Sequence, residues 1–519
     1  MEHYDIIIVG GGAAGLSGAA QTAEQGQRAL VLEALPQIGG NGVFAEEVFG
    51  LGTLEQEKRG ISCDVDGWFL LAMEHSHWKN NARLTRALLE RSGWNMNWLI
   101  EHGLQIAGIN PERVPGLGAA SHFTEGMHSG RDIMAVLRRF CEENDRVTIL
   151  TRTRATSLLT DEDGAVIGVA AEQNGTSQAF YGDAVLLSTG GCGGNRELIH
   201  RIIPGVDETA FAHLKGIRMN GDGICMAEAA GGEILSDGCF ENAGPTFAGN
   251  TTVMGLVTKR HAIWLNQAGR RFANEAVGDN FVYGCNAVYA QPGHRCYVLL
   301  DQAMVEDAMA GPVDFLAGPE AVSRGTSGML AALEEETEKG SVCISSSLNE
   351  IAAWMGARAE TLEAEILDYN RCCAEGKDPV FLKPASLLRP IQSGRYVCIR
   401  CGVDYILTHG GIRVDETMRV LRPSGFPIPN LYAAGVDISG LDSAGYQVTM
   451  SGHSFGLSMT GGRWATACAL ANRSPAKRYS KQKPARNGGI RIPPFRADRL
   501  FSISFQFPFR LRSRHRSRI

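Results

Sequence analysis

The chain has 519 residues, which is enough for two or three domains and a sizeable buried core. Its 44% hydrophobic and 20% charged content is ordinary for a globular protein, and no apolar stretch reaches the ~18 residues of a membrane span. The net charge is −6 and the 13 cysteines are scattered, a pattern that predicts reduced thiols, no disulfide framework and a cytoplasmic location.

The first thirty-odd residues predict a strand, a glycine turn, a helix and a second strand. Residues 4–9 (YDIIIV) form an apolar run rather than a signal peptide, and RALVLE, after the helix, ends at Glu33. In the spacing Gly10-x-Gly12-x-x-Gly15, the glycines allow a tight turn, backbone approach to a pyrophosphate and helix–strand packing. The helix N-terminus would face the phosphates, and Glu33 would accept hydrogen bonds from ribose hydroxyls. This unit predicts dinucleotide binding without deciding between FAD and NAD.

The middle of the chain predicts a helical region, a sheet segment and a second domain. Helical spacing of apolar residues runs through 66–103 and returns at 129–144. Strands are predicted at 147–161 and 165–173, and the run AVLLST ends at a glycine pair. From about 243 to 385 the pattern changes to mixed helices and short strands, which we interpret as an insertion. The last third returns to the first domain and closes with a long helix of small residues.

The segment from Arg473 onward carries fourteen Lys or Arg residues against one acid, Asp498. Such a tail could contact an anionic membrane or nucleic acid. Because it has no helical period, we predict a disordered appendage with no assigned function and no nucleic-acid partner.

Five blocks occur in a fixed order, and together they carry a family resemblance. They are DIIIVGGGAAGLSGAA, LLSTGGCGGN, MNGDGICMAEAAGG, IWLNQAGRRFANE and GGIRVDETMRVL…GFPIPNLYAAGVD. Over about residues 1–470 the chain resembles the fumarate reductase/succinate dehydrogenase flavoprotein family, which includes urocanate reductases and 3-ketosteroid dehydrogenases. The resemblance implies an FAD-dependent oxidoreductase acting on CH–CH groups.

The resemblance also implies an α/β fold in which a Rossmann-like, glutathione-reductase-type FAD-binding domain carries an inserted α+β capping domain. On this basis we expect the FAD-binding domain at 1–242 and 386–472, the capping domain at 243–385, and the basic tail at 473–519. The capping domain would close over the isoalloxazine ring.

The residues expected to contact FAD follow from the matching blocks. They are Gly10, Gly12, Ala13, Ala14, Gly15, Glu33, Gly40, Asn41, Gly190, Gly191, Gly435, Asp437, Ser451, Ser454 and Phe455. In the family the helix that starts near Ser451 points at flavin N1 and O2, where its dipole would stabilise the reduced ring. Val436 occupies the position of the family's glutamate, with Asp437 one step later. The loop GGNGVFAEE lacks the histidine of covalent relatives, so non-covalent FAD is expected.

Four polar anchors of the fumarate-type site are missing. The family's HPT segment corresponds to Gly244-Pro245-Thr246, and its TTRD segment to residues 276–279 (AVGD). Its HHTMGG segment corresponds to residues 406–411 (ILTHGG), and its NRLGGN arginine falls near Thr449. Without these cations two carboxylates are not held, so dicarboxylate reduction is not expected.

Two residues are candidates for catalysis. Tyr446 lies about where 3-ketosteroid dehydrogenases carry a catalytic tyrosine, and its hydroxyl could exchange a proton during hydride transfer; a packed structural tyrosine is the alternative. His409 precedes a glycine pair near the expected flavin and could bond substrate or serve the structure. Arg270, Arg271 and Glu275 could form an internal ion pair or line the cleft, and the pair is favoured.

Three functional hypotheses follow. The first is hydride transfer between flavin N5 and an activated C–C bond of an unsaturated small molecule that is not a dicarboxylate, such as an enone or a ketosteroid-like compound. The second is reduction of an unsaturated carboxylate by rearranged anchors, for which Arg131, Arg413 or His409 are candidates. The third is a flavin-binding protein without turnover. The sequence has no second nucleotide fingerprint, haem box or iron–sulfur spacing, so an external electron donor or acceptor is expected, and no metal site is predicted.

Overall fold

The computed structural model describes residues 2–212, 219–313, 325–392 and 394–472. The predicted disordered tail from 473 onward lies outside these residues. The described strands are β1 (His3–Val9), β2 (Ala29–Leu32), β3 (Val48–Phe49), β4 (Gly108–Ile109), β5 (Ser121–Phe123), β6 (Val147–Leu150), β7 (Thr153–Thr160), β8 (Val166–Gln173), β9 (Thr176–Leu187), β10 (Phe211–Ala212), β11 (Cys239–Thr246), β12 (Ile263–Leu265), β13 (Cys296–Asp301), β14 (Val342–Ser345), β15 (Tyr396–His409), β16 (Arg419–Leu421) and β17 (Pro427–Ala433).

The helices lie between these strands and at the end of the described chain. They are α1 (Ala13–Glu24), α2 (Leu54–Lys58), α3 (Val65–His75), α4 (Ala82–Leu89), α5 (Ser92–Glu101), α6 (Ser129–Glu142), α7 (Arg196–Ile202), α8 (Asp222–Ala229), α9 (Met254–Val257), α10 (Phe281–Tyr289), α11 (Gln302–Ala310), α12 (Met329–Glu338), α13 (Leu348–Met355), α14 (Ala359–Glu375) and α15 (His453–Ala471). Within the described ranges, none of them combines the length and apolar character that a bilayer crossing requires.

The predicted α/β fold is confirmed by an eight-stranded sheet in the order β16-β17-β9-β1-β2-β6, with β8 joined to β9 and β7 to β8. The pairs β1–β2, β1–β9, β17–β9 and β2–β6 are parallel. Every residue of β2, ALVL, is buried, as expected for a parallel strand covered on both faces. The parallel order brings the carboxyl ends of β1, β2, β9 and β17 to one edge of the sheet.

Helices α1 and α15 cross in close contact because both are rich in small residues. A Cβ at Gly462 would lie 1.9 Å from the carbonyl oxygen of Ala14, and a Cβ at Gly18 would lie 3.1 Å from that of Gly462. Only glycine at these positions allows the two backbones to approach so closely. The contact places the middle of α15 beside the start of α1, next to the glycine turn after β1.

A second sheet has the order β10-β15-β13-β12, with β11 and β14 also paired to β15. It has its own buried core, built from residues between Phe247 and Val403. The long strand β15 passes from this core to His409, next to the first sheet. The predicted internal ion pair is found here: both guanidinium–carboxylate contacts between Arg271 and Glu275 measure 2.9 Å. The proposed domain boundaries at 242, 385 and 472 stay a prediction.

Candidate functional site

A cavity of about 1120 Å³ opens at the carboxyl ends of the parallel strands, where α/β sheets commonly hold their ligands. The glycine turn after β1, the start of α15, β11 and β15 contribute to its wall. Most of the residues that the sequence assigns to FAD line it, namely Gly10, Gly12, Ala13, Ala14, Glu33, Gly40, Asn41, Gly190, Gly435, Ser451, Ser454 and Phe455. Gly15, Gly191 and Asp437 stand behind this wall.

The glycine turn leaves room for a phosphate group beside its backbone. A Cβ built at Gly12 would meet no atom within 4 Å, although Gly12 lines the cavity. A Cβ at Gly15 would lie 1.9 Å from the carbonyl oxygen of Gly10. Helix α1 begins without a side-chain cap or an acid in its first turn, so its N-terminal N–H groups remain open to an anion. The turn therefore fits the pyrophosphate of FAD.

Glu33 is held at the end of β2 by two backbone donors. Its Oε2 accepts the N–H of Gly11 at 2.8 Å, and its Oε1 accepts the N–H of Leu35 at 2.7 Å. Burial raises the pKa of this carboxyl group, although the two N–H donors oppose the shift. Each oxygen keeps a lone pair, and the residue lines the cavity, so the arrangement suits ribose hydroxyl donors.

Asp437 is fully buried and faces the turn after β9. Its carboxylate accepts the N–H of Gly191 at 2.6 Å and that of Gly190 at 3.2 Å, and also that of Thr189. It does not line the cavity. The side chain therefore shapes the Gly190–Gly191 turn, which is a different place from the ribose or ribityl contact suggested by the sequence.

The start of α15 presents a helix N-terminus to the cavity. The residue before the helix, Gly452, is left-handed (φ +79°), and a Cβ there would lie 2.8 Å from the carbonyl of Glu47. No side chain caps the helix, and no acid occupies its first turn. Ser451, Ser454 and Phe455 line the cavity. The positive end of the helix dipole suits the partial negative charge of a flavin N1 and O2 edge.

Another part of the wall comes from β11, α10, β15 and the segment before α15. It consists of Glu241, Ala243, Thr251, Asp279, Phe281, Ile406, Leu407, Tyr446 and Val448. The Tyr446 side chain is buried, and its ring centroid lies 6.0 Å from that of Phe281. Its hydroxyl makes no hydrogen bond to any other described residue. Burial and the charges of Glu241 and Asp442 hold the pKa of Tyr446 well above its usual 10, so it stays protonated.

His409 lies beneath this wall, between two carboxylates. Its Nε2 is 3.4 Å from Glu241 Oε2, and its Nδ1 is 3.3 Å from Asp442 Oδ2. Burial lowers the pKa of this imidazole, but hydrogen bonds to Asp442 and Glu241 outweigh it and raise the pKa to about 9. Despite its burial, the pKa of Asp442 falls well below the usual range because the neighbouring His453 and His409 favour the carboxylate. His409 is therefore an imidazolium at neutral pH. It does not line the large cavity.

Sequence patterns do not identify Glu241, Asp442 and His453 as site residues. The nearest signal is the acidic Glu241 inside the largely apolar stretch CFENAGPT. In the ranges the structure covers, no group of three or more His, Cys, Asp or Glu side chains is arranged to hold a metal ion.

The arginines proposed to bind a substrate carboxylate differ in whether they line the cavity. Arg131 lines the cavity, as does Arg113, whose guanidinium lies 3.8 Å from Glu47. Arg413 forms an ion pair with Glu233 at 2.5 Å and is not among the lining residues. In the described wall, the segments that replace the four family anchors supply no cation.

Several known proteins are similar to this chain in sequence or in fold. A family model described as "FAD binding domain" matches residues 5–448. A vinyl phenol reductase from Lactiplantibacillus plantarum is 28% identical over 480 residues, covering 89% of this chain and 95% of that protein. A cytochrome-type fumarate reductase from Shewanella frigidimarina is 26% identical over 487 residues, covering 93% and 78%. The structure of 3-ketosteroid delta1-dehydrogenase from Sterolibacterium denitrificans, 20% identical, superposes with a TM-score of 0.74 over 91% of this chain and 100% of that one.

Proposed function

The chain belongs to the family of FAD-dependent oxidoreductases that this FAD-binding domain defines, and we propose that it reduces an activated C–C double bond in an uncharged substrate. Bound FAD supplies the two electrons of the reaction as a hydride equivalent. The chain's own residues bind and orient the cofactor, exclude water and provide the accompanying proton. The electron donor is proposed to be external.

The negative charge of the cavity wall around Tyr446 supports the proposal of an uncharged substrate. Glu241 and Asp279 line the cavity beside Tyr446, where fumarate-type sites need cations. Asp279 is partly neutralised by Arg260 at 2.8 Å, whereas Glu241 faces His409. The carboxylates of a dicarboxylate substrate placed near them would be repelled in a cavity of low dielectric. The other side chains of this part of the wall are largely apolar, which supports a neutral conjugated alkene such as an enone, a ketosteroid-like compound or a vinyl phenol; they include Phe281, Ile406, Leu407 and Val448.

In this scheme Tyr446 donates the proton. Tyr446 lines the cavity, and its hydroxyl carries a proton at neutral pH and has no competing hydrogen bond to another described side chain. Phe281, Val448 and Leu407 cover the neighbouring wall and keep water away from a carbon that accepts hydride. The N-terminus of α15 orients the other side of the site.

Arg113 and Arg131 favour a second candidate, reduction of an unsaturated monocarboxylate. Both line the cavity, and Arg131 makes no ion pair within the described ranges. A single carboxylate bound there would leave Tyr446 in the same role.

A substrate panel distinguishes the two candidates. We expect anaerobically reduced protein to be reoxidised by 4-vinylphenol or a cyclic enone, and to be reoxidised slowly or not at all by fumarate. The visible absorbance of the flavin reports each reaction. Faster reoxidation by fumarate than by every neutral alkene would contradict the proposal, and selective reoxidation by acrylate would favour the monocarboxylate candidate.

Two glycine substitutions separate cofactor binding from folding. Gly12→Ala places a methyl group in open cavity space, so we expect FAD affinity to fall by at least about tenfold while the apoprotein keeps its stability. Gly15→Ala forces a methyl group against the Gly10 carbonyl, so we expect the free energy of unfolding of the apoprotein to fall by about 1–3 kcal/mol. Flavin titration and urea denaturation measure the two effects, and an exchange of the two results would contradict the assignment.

We also propose that FAD is bound without a covalent link. The loop that carries a histidine in covalent relatives contains none here. Acid precipitation should release all of the flavin into the supernatant. Flavin retained in the pellet would instead indicate a covalent link, for which His128, a residue that lines the cavity, would be the candidate.

A further inference from the structure

Four ionisable side chains, three of them buried, form a continuous chain next to Tyr446. Glu241 contacts His409 at 3.4 Å, and His409 contacts Asp442 at 3.3 Å. Asp442 accepts from His453 Nε2 at 3.0 Å, and the other ring nitrogen of His453 lies 2.8 Å from the carbonyl oxygen of Met450. Each contact except the last joins groups that can hold or release a proton.

The chain joins two cavities. Glu241 lines the large cavity together with Tyr446. His409, Asp442 and His453 line a second cavity of about 20 Å³, which is room for about one water molecule. Asp237 also lines the small cavity; its Oδ1 is buried without a partner, whereas its Oδ2 accepts the Ser443 hydroxyl at 2.8 Å. A water bound there would satisfy Asp237 and stand beside the His409–Asp442 pair.

Tyr446 packs against two histidines of this chain of ionisable side chains. Its ring is stacked on His453 at 4.6 Å between centroids and lies 5.4 Å from the His409 ring. After the tyrosine gives up a proton, its oxyanion would stand near the carboxylates of Glu241 and Asp442, which raise the pKa of the hydroxyl. A fast second turnover therefore requires a nearby proton source, and the His409 imidazolium is such a source.

We propose that Glu241 and His409 form a proton relay that reprotonates Tyr446 after each reduction, an inference that rests on the proposed function. Tyr446 Oη–H breaks as a substrate C–H forms. The proton on His409 Nε2 passes to Glu241, and from Glu241 it crosses a water in the large cavity to the Tyr446 oxyanion, since Glu241 and Tyr446 both line that cavity. This leaves His409 neutral. Water in the small cavity returns one proton to His409. The relay thus carries one proton per alkene reduced, and no electrons move through it.

Asp442 and His453 act as positioning residues. Asp442 fixes the His409 ring through Nδ1, so that Nε2 points at Glu241. Several titratable or charged groups surround the relay from the elements packed against it: Glu47, His75, Asp237, Cys239, Asp442, Tyr446 and His453.

The test compares the first turnover with later ones. In Glu241→Gln, a single equivalent of alkene should reoxidise reduced protein at close to the wild-type rate, because Tyr446 already holds its proton. Steady-state turnover with reduced viologen as donor should fall at least about tenfold, with a larger solvent deuterium isotope effect. His409→Gln should behave in the same way. The matched control His122→Gln changes a buried histidine outside both cavities, and its turnover should match wild type.

A measurement without turnover checks the same relay. The imidazole of His409, followed by NMR in the holoprotein, should remain protonated to about pH 9 and should lose its proton at lower pH in Glu241→Gln. Steady-state rates equal to wild type in both relay variants would overturn the relay while leaving the proposed function intact. If no alkene reoxidises wild-type protein, the proposed function itself fails, and the NMR titration alone then decides whether Glu241 and His409 are coupled.

Discussion

Replacement of Tyr446 by phenylalanine is expected to slow alkene-driven reoxidation of the flavin by about 10²–10⁴-fold, the usual effect of removing a general acid. The variant loses one hydroxyl that makes no hydrogen bond to any other described residue, so neither folding nor FAD content should change. The ring remains stacked on His453. Stopped-flow absorbance of anaerobically reduced protein mixed with alkene measures the rate directly.

Tyr432→Phe is the matched control for this prediction. Tyr432 is also buried, and among the described residues its hydroxyl is bonded only to the side-chain amide of Asn472, 3.4 Å away and outside the cavity. Its reoxidation rate should equal that of wild type. Undiminished reoxidation in Tyr446→Phe would remove the tyrosine from the mechanism and leave it as a packed side chain.

Replacement of Asp442 by asparagine is expected to lower the free energy of unfolding by about 3–5 kcal/mol, because the buried His409 imidazolium loses one of its two carboxylate partners. Asp442 is buried, and it contacts both His453 at 3.0 Å and His409 at 3.3 Å. Urea denaturation at neutral pH measures the change. A loss below about 1 kcal/mol, the range of exposed ion pairs, would contradict this account.

The same pair predicts how stability depends on pH. The pKa of His409 is about 9 in the folded protein against a usual 6.5, so its contribution is complete below pH 6.5 and is lost as the pH rises through 9. The pKa of Asp442 is lowered from its usual 3.8, so its contribution is present above pH 3.8 and is lost only in strong acid. In Asp442→Asn the alkaline decline between pH 6.5 and 9 should become shallower. Denaturation curves across that interval, with His122→Gln as the control, test the sign.

Much of the fold was predictable because its signals are local. The strand, glycine turn, helix and acid within residues 4–33 form a motif whose parts follow one another within a few residues. Its nucleotide contacts come mainly from backbone groups, so residue spacing alone indicates it. The confirmed parallel sheet follows from these runs and from the buried strands that repeat the pattern at β9 and β17. The missing family anchors could be identified in the same way, because each belongs to a short matching segment.

The sequence by itself determined the α/β architecture, the FAD-binding family and the absence of the fumarate-type anchors from their matching segments. Only the tertiary structure decided what replaces those anchors. His409 and Glu241 are 168 residues apart and meet because β11 and β15 pair antiparallel, with a register shift just after Glu241. Asp437 turned out to brace the Gly190–Gly191 turn, since burial behind the wall leaves it backbone N–H groups as partners. Side-chain networks of this kind depend on strand register and on the depth of burial, and neither quantity can be read from residue spacing.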